Sequence, residues 1–297
     1  MTMTIKAWIA LSIAFITWGA FPLFVRAMDT MRADEFLYVR IVFSFLCLLL
    51  LYAWKGKLKS AFQTILRPHF LLQASISAVF IALNWYLYIV AVNENLTTQA
   101  SIGYFITPLI NVLFGVWLFG DKMDIWKATA LGFGLAGVIY QMIALHIMPW
   151  LPLGIGAAFG IYGSLRKKMR MPPVQGLFAE LLVMLPIVLL AWAALVEQGK
   201  AFNYAADPSM ILWCIAAGLI TLIPLLLFLY AVNYLSLTAV GFAQYSSPSI
   251  QFLIAIFYFH EPFSISRLIA FILIWIGLAI YSVRLLQMTR RKKYDSH

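Results

Sequence analysis

Ten apolar runs, each close to the length a bilayer's hydrocarbon core demands, follow one another with only short polar connectors between them. They fall at roughly 6–25, 34–54, 70–92, 98–119, 126–145, 150–166, 175–197, 210–232, 238–259 and 265–286. In hydrocarbon every backbone amide must be paired inside the protein, so runs of this kind are helices and not strands. The longest connectors, 55–69 and 198–209, leave no room for a soluble catalytic domain. The expected fold is therefore all-α and integral to the membrane, with ten transmembrane helices. Of the 297 residues 64% are apolar and 11% are charged, and a net charge of +10 could suggest nucleic acid. The basic residues lie in short clusters between the apolar runs, however, which suits loops retained on the cytoplasmic side and excludes a nucleic-acid surface.

Those clusters set an orientation. With the N-terminus cytoplasmic, that side gathers Lys6, then Lys55, Lys57, Lys59 and Arg67, then Lys122 and Lys127. It also takes Arg166, Lys167, Lys168 and Arg170, and the tail from Arg284 to Lys293. The opposite side receives Arg26, Arg32, Lys200 and Arg267, so both termini are expected inside. Lys6 precedes an apolar run with no small-x-small cleavage pattern after it, and this run is read as the first span rather than a signal peptide. Cys47 and Cys214 lie within apolar runs, where neither a disulfide framework nor a metal site is indicated.

The chain also repeats itself. The stretch from Asn84 to Asp121 returns 140 residues later without a gap. Ala91-Val92-Asn93 meets Ala231-Val232-Asn233, Thr98 meets Thr238, Pro108 meets Pro248, and Asp121 meets Glu261. Inside the first copy Tyr104, Thr107 and Asn111 stand at helical spacing on one face beside a proline; in the second, Gln244, Ser247 and Gln251 do the same. The repeat divides the chain into halves at 1–145 and 146–297, each with five spans. Five is odd, so two copies in one chain point in opposite directions across the membrane. Inverted repeats are the architecture of secondary transporters that alternate access to a midplane site.

Which residues could meet a solute follows from what hydrocarbon penalises. Polar side chains on membrane helices commonly join neighbouring helices, but two matching stripes beside prolines in oppositely directed helices favour the lining of a path. Asn84 and Trp85, with Tyr88 one turn on, are expected to face the same space. Arg40 lies deep in its span, where a charge costs about 2.5–3.5 kcal/mol on insertion scales. It is read either as a contact to an anionic or polar part of the substrate or as a structural partner of helix carbonyls. Glu180 stands 140 residues after Arg40, yet inversion puts the two about 9 Å from opposite surfaces by helix rise. They are therefore treated as separate sites, with Glu180 a candidate proton-coupling carboxylate. Asn93 and Asn233 close their helices before tight connections. Pro22, Pro186 and Pro224 lie in or near spans, as kinks or flex points.

One motif misleads. Gly132-Phe133-Gly134-Leu135-Ala136-Gly137 matches the dinucleotide fingerprint, which needs a preceding strand and a βαβ unit. Inside a membrane span these glycines permit close helix packing, as do Gly156 and Gly160. No phosphate-binding G-x-x-x-x-G-K-[ST] loop is present, and the histidines, His69, His146, His260 and His297, fall at or near span ends. No cofactor, metal or catalytic residue is expected.

Together these residues resemble the RarD family of the drug/metabolite transporter superfamily, whose members have ten spans in two inverted EamA-type repeats. The matching pieces in the first half are Trp18-Gly19 with Pro22, Asp34-Glu35 with Arg40, Asn84-Trp85, Ala91-Val92-Asn93, and Ala100-Ser101 through Gly103-Tyr104-Phe105-Ile106 to Pro108-Leu109. In the second they are Tyr162-Gly163 with Arg166-Lys167-Lys168, Glu180 with Leu185-Pro186, Pro224-Leu225-Leu226, and Gly241-Phe242 with Gln244-Tyr245 and Pro248. Thr107 departs from the family pattern, where asparagine is expected, and it lies in the proposed path. The resemblance implies an inner-membrane permease of a group associated with chloramphenicol sensitivity, and it names no substrate.

The sequence thus points to an exporter of a small organic metabolite or drug, secondary-active or facilitative, and not to an enzyme. Substrate would contact Asn84, Trp85, Tyr104, Thr107, Asn111, Gln244, Ser247, Gln251 and Arg40. Its partners would be that solute and the lipid bilayer, with a homodimer compatible. The rivals are an integral-membrane enzyme acting on lipid-linked substrates, which calls for clustered acids or histidines, and a scaffold without a polar cavity.

Overall fold

A computed structural model of the chain describes residues 3–28, 30–93, 97–144, 150–204, 207–258 and 265–294. The helices are α1 (Met3–Ala27), α2 (Ala33–Trp54), α3 (Leu58–Ile65), α4 (Pro68–Asn93), α5 (Thr97–Phe119), α6 (Ile125–Ala144), α7 (Trp150–Met169), α8 (Pro173–Glu197), α9 (Met210–Tyr234), α10 (Leu237–Gln244), α11 (Ser246–Phe257) and α12 (Ile265–Tyr294). There is no strand among the described residues. Helix α3 is a short amphipathic segment inside the 55–69 connector, and α10 and α11 together occupy the ninth expected span. The remaining helices match the expected runs one for one.

The ninth span differs from a single helix. It breaks at Tyr245, three residues before Pro248, which has no N–H to offer the Gln244 carbonyl and whose ring crowds that carbonyl. Pro108, its counterpart, sits inside a continuous α5. Pro22, Pro186 and Pro224 are also enclosed by unbroken helices. Helices α2 and α8 stop at Gly56 and Gly199, whose φ values of 62° and 65° are left-handed. The amides of Lys57 and Lys200 then reach back to the carbonyls of Tyr52 at 2.9 Å and Leu195 at 3.0 Å, closing the last turns.

Among the described residues, six helices are long and apolar enough to cross a bilayer, and α5 and α12 contribute shorter apolar stretches at 103–119 and 268–284. Their lipid-facing sides carry exposed Ile, Leu, Val and Trp side chains such as Ile187, Leu190, Leu212 and Trp117. Helix α7 is less apolar because it is surrounded by protein: it packs on α4, α5 and α9, and more than half of its residues are buried. Small residues let it in. A Cβ on Gly160 would strike Ile110, and one on Gly156 would strike Ile106 and the Gly103 carbonyl. In the glycine-rich stretch of α6, Gly134 and Gly137 serve the same purpose against Tyr245 and Ala270, whereas Gly132 faces open space.

Most helix pairs recur between the halves. The pair α1·α9 answers α4·α7, α2·α9 answers α4·α8, and the α1·α10 and α1·α11 contacts answer α5·α7. The pairs α2·α8, α5·α10 and α6·α12 map onto themselves. With five spans in each half, this is a repeated membrane fold in which the halves run in opposite directions. Both ends of the described chain lie at one end of the bundle: Met3 Sδ is 3.8 Å from the Tyr230 hydroxyl near the end of α9, and Arg284 on α12 pairs with Asp124 in the α5–α6 turn.

Candidate functional site

The two polar stripes touch at one pair across the boundary between halves. Asn111 Nδ2 donates to Gln244 Oε1 at 2.8 Å, joining α5 to α10. Gly241, one turn before Gln244, makes the approach possible, since a Cβ there would lie 2.7 Å from the Pro108 carbonyl oxygen. The Asn111 Oδ1 atom, turned toward Gly160 and Gly163, is buried and takes no donor. Thr107 is fully buried and returns its hydroxyl to the Gly103 carbonyl at 3.1 Å. Ser247 is buried, and Gln251 donates to the Trp18 carbonyl at 3.0 Å, tying α11 to α1. Asn84 is buried and donates to the Ile155 carbonyl at 2.9 Å, which joins α4 to α7. Asn233 is exposed in the last turn of α9; the side chain of Asn93, together with His146, His260, Glu261 and His297, lies outside the described residues.

Beside these stripes sits Arg40. Ser44, one turn further along α2, donates to the Gly218 carbonyl at 3.0 Å, and Gly218 lets α9 close on the backbone of Phe43. That contact brings Arg40 against Thr221, whose hydroxyl accepts from Arg40 Nε at 2.8 Å. The guanidinium carbon lies 5.0 Å from the ring centroid of Phe21 and 5.5 Å from those of Phe36 and Trp85. Tyr88 and Tyr104, with ring centroids 5.9 Å apart, are close enough for their phenols to act on its charge. Arg40, Tyr88 and Tyr104 are each enclosed by protein, yet each keeps accessible surface.

Glu180 has different company. It is fully buried, with Oε1 2.9 Å from Arg166 Nη1, and it accepts from the Ser77 hydroxyl and, at 3.1 Å, from the Tyr162 hydroxyl. Gly176, one turn before Glu180, leaves room for the guanidinium. Arg166, a member of the basic cluster expected on the cytoplasmic side, is buried, with 2% of its side-chain surface exposed, so Arg40 is not the one basic residue inside the bundle. Arg166 ends α7 at the edge of a basic run, and nothing in that run separates it from its exposed neighbour Lys168. Lys167 turns inward too, donating to the carbonyls of Val232 and Leu235 at the end of α9.

A second buried carboxylate was marked in the sequence only through resemblance. Glu35, in the first turn of α2, accepts from Trp192 Nε1 at 3.1 Å, the Phe202 amide at 2.8 Å and the Tyr204 hydroxyl at 3.0 Å. It thereby fastens the α8–α9 connector across the end of the bundle opposite the termini. Asp34, its neighbour, instead pairs with Arg32 at the surface. At the termini end, the Asp121 carboxylate accepts the Thr238 amide at 2.9 Å at the start of α10, again linking the halves. Among the described residues no three metal-ligating side chains cluster.

This geometry has relatives. The EamA-like transporter family matches the chain twice, over residues 5–142 and 148–283. The chain is 32% identical over 282 residues to Protein RarD of Escherichia coli (strain K12), covering 94% of each. It is 35% identical over 283 residues to an uncharacterized transporter of Pseudomonas aeruginosa, covering 94% of this chain and 93% of that one. A solved crystal structure at 15% identity superposes with a TM-score of 0.72 over 93% of this chain and 97% of its own, a likeness of fold alone. With both halves matched and full-length relatives at this identity, the chain belongs to the EamA-like transporter family.

Proposed function

We propose that the chain is a secondary-active or facilitative transporter of the inner membrane that exports a small organic solute. Its two five-helix halves, 1–145 and 146–297, rock about the interior space beside Arg40, with both termini in the cytoplasm. The observation that carries this reading is the meeting of Asn111 and Gln244, polar residues from opposite halves, in a bundle where Arg40, Tyr88 and Tyr104 keep accessible surface. Inverted halves that share a polar midplane are suited to exposing it first to one side and then to the other. Tyr104, Asn111, Gln244, Gln251, Trp85 and Arg40 are the residues that would meet the solute, with Asn84, Thr107 and Ser247 holding the helices around it. The sealing of Glu180 beside Arg166 favours a structural acid over a proton carrier. A thermal-shift screen of the purified full chain against metabolites and drugs tests the reading. A stabilising compound should exchange across liposomes holding the wild type and lose its effect in Asn111→Ala. Ligands that bind but never cross would refute transport.

A further inference from the structure

Resting on the transporter reading, we propose that the interior space takes an organic monoanion, a carboxylate joined to an apolar or aromatic body, with the carboxylate on the free edge of Arg40. No carboxylate among the described residues pairs with it, whereas Arg166 has Glu180, Arg284 has Asp124 and Arg32 has Asp34. Its Nε–H is spent on Thr221, and the terminal nitrogens, which carry its other N–H donors, take no acceptor among the described residues. They are not sealed either, unlike the Nε of Arg166. An arginine in this state keeps its planar fork free, and on it a carboxylate can accept two parallel hydrogen bonds.

The surroundings hold the charge without consuming it. Rings of Phe21, Phe36 and Trp85 stand around the guanidinium at cation–π distance, and Thr221 fixes its Nε edge. Such contacts satisfy a cation only in part, so a charge-assisted bond to a ligand remains available. With one unpaired cation beside these rings, one negative charge is balanced on entry, whereas a dianion would bring a second charge with no partner among the described residues. Beyond the fork, the phenol rings of Tyr88 and Tyr104 offer flat apolar walls with polar tips, which fits a planar body better than a sugar.

Three probes of similar shape separate the charge classes: phenylpropionate, its neutral amide phenylpropanamide, and the cation phenylpropylamine. Binding to the purified full chain is read by thermal shift and by tryptophan fluorescence, since the Trp85 ring lies on Arg40. The carboxylate should bind about tenfold tighter than the amide or better, with the amine inert. Arg40→Gln should erase that preference, and Arg40→Lys, which keeps the charge without the fork, should retain part of it. Equal binding of acid and amide, preference for the amine, no binding of the acid at millimolar concentration, or a preference that survives Arg40→Gln would each overturn the proposal. The charge series on the wild type decides even if Arg40→Gln fails to fold. Exchange across liposomes keeps the two readings apart. A carboxylate that binds and does not cross leaves the anion site standing and removes transport; amide or amine that crosses as readily as the acid leaves transport and removes the anion site.

Discussion

Replacing Glu180 with glutamine should cost the protein about 3–5 kcal/mol of stability, because it strips the counter-charge from an arginine that has no route to water. Arg166 keeps 2% of its side-chain surface and Glu180 none. The Nε–H of Arg166 already lacks an acceptor, and its other contacts, to the Pro172 and Pro173 carbonyls at 3.5 and 3.4 Å, are long. The carboxylate is therefore its principal partner. Glutamine can still accept from Ser77, but its NH2 would face a guanidinium or the Tyr162 hydroxyl, so the penalty is that of a buried unpaired charge. Removing both charges is a different matter. Arg166→Met combined with Glu180→Leu replaces the pair with apolar side chains of comparable bulk and should recover most of the loss, since a buried pair returns little net energy over its desolvation. Thermal unfolding in detergent, followed by the fraction that elutes as monodisperse protein, reads all three chains. A Glu180→Gln protein as stable as the wild type, or a double variant no better than the single, would refute the assignment of this pair as a structural unit.

Three further outcomes follow from particular contacts. Gly176→Ala places a methyl in the space that the Arg166 guanidinium occupies, so it should destabilise the same unit, and a thermal shift smaller than that of an ordinary exposed alanine substitution, such as Leu190→Ala, would count against it. Glu35→Gln presents an NH2 to a pocket built of three donors, so the connector at 198–204 should become more open to proteolysis; unchanged cleavage would dismiss Glu35 as a fastening. At Asp124, partial burial raises the carboxyl's pKa, but the Lys127 amide and the Arg284 guanidinium more than offset it, and the net shift is downward. A depressed carboxyl contributes stability above its unfolded pKa of about 3.9 and loses it as pH falls through the folded value. The stability difference between wild type and Asp124→Asn should therefore shrink toward acid pH, and one that grows would reverse the sign.

Much of the scaffold could be read from residues alone, and the reasons are physical. Lipid demands long apolar helices, so the run at 98–119 returned as Thr97–Phe119 and the run at 126–145 as Ile125–Ala144. Of the stripes that the 140-residue repeat marks, Asn111 meets Gln244, while Thr107 bonds within its own helix and Gln251 turns to Trp18. Legibility failed where the outcome depends on which way a side chain turns. Arg166 and Lys168 look alike in a basic run, yet one folds inward because Gly176 and Glu180 wait across the turn. Asp34 and Glu35 are adjacent acids about 100° apart on a helix, so one meets solvent and the other the Trp192 and Tyr204 side chains of the second half. The α3 helix was hidden in a connector, though Ala61 and Ile65 are one turn apart and both buried. The break at Tyr245 was masked by symmetry with Pro108, whose helix continues.

Transport requires that the space beside Arg40 open to each side of the membrane in turn. A cysteine at Tyr104, in a background with Cys47→Ser and Cys214→Ser, reports this through its reaction with a membrane-impermeant maleimide. The reagent is added outside right-side-out vesicles or inside-out ones. Labelling from both faces, slowed by a bound phenylpropionate, is the expected result. A residue that reacts from one face alone, or from neither, under conditions where an exposed loop cysteine reacts fully, would contradict it.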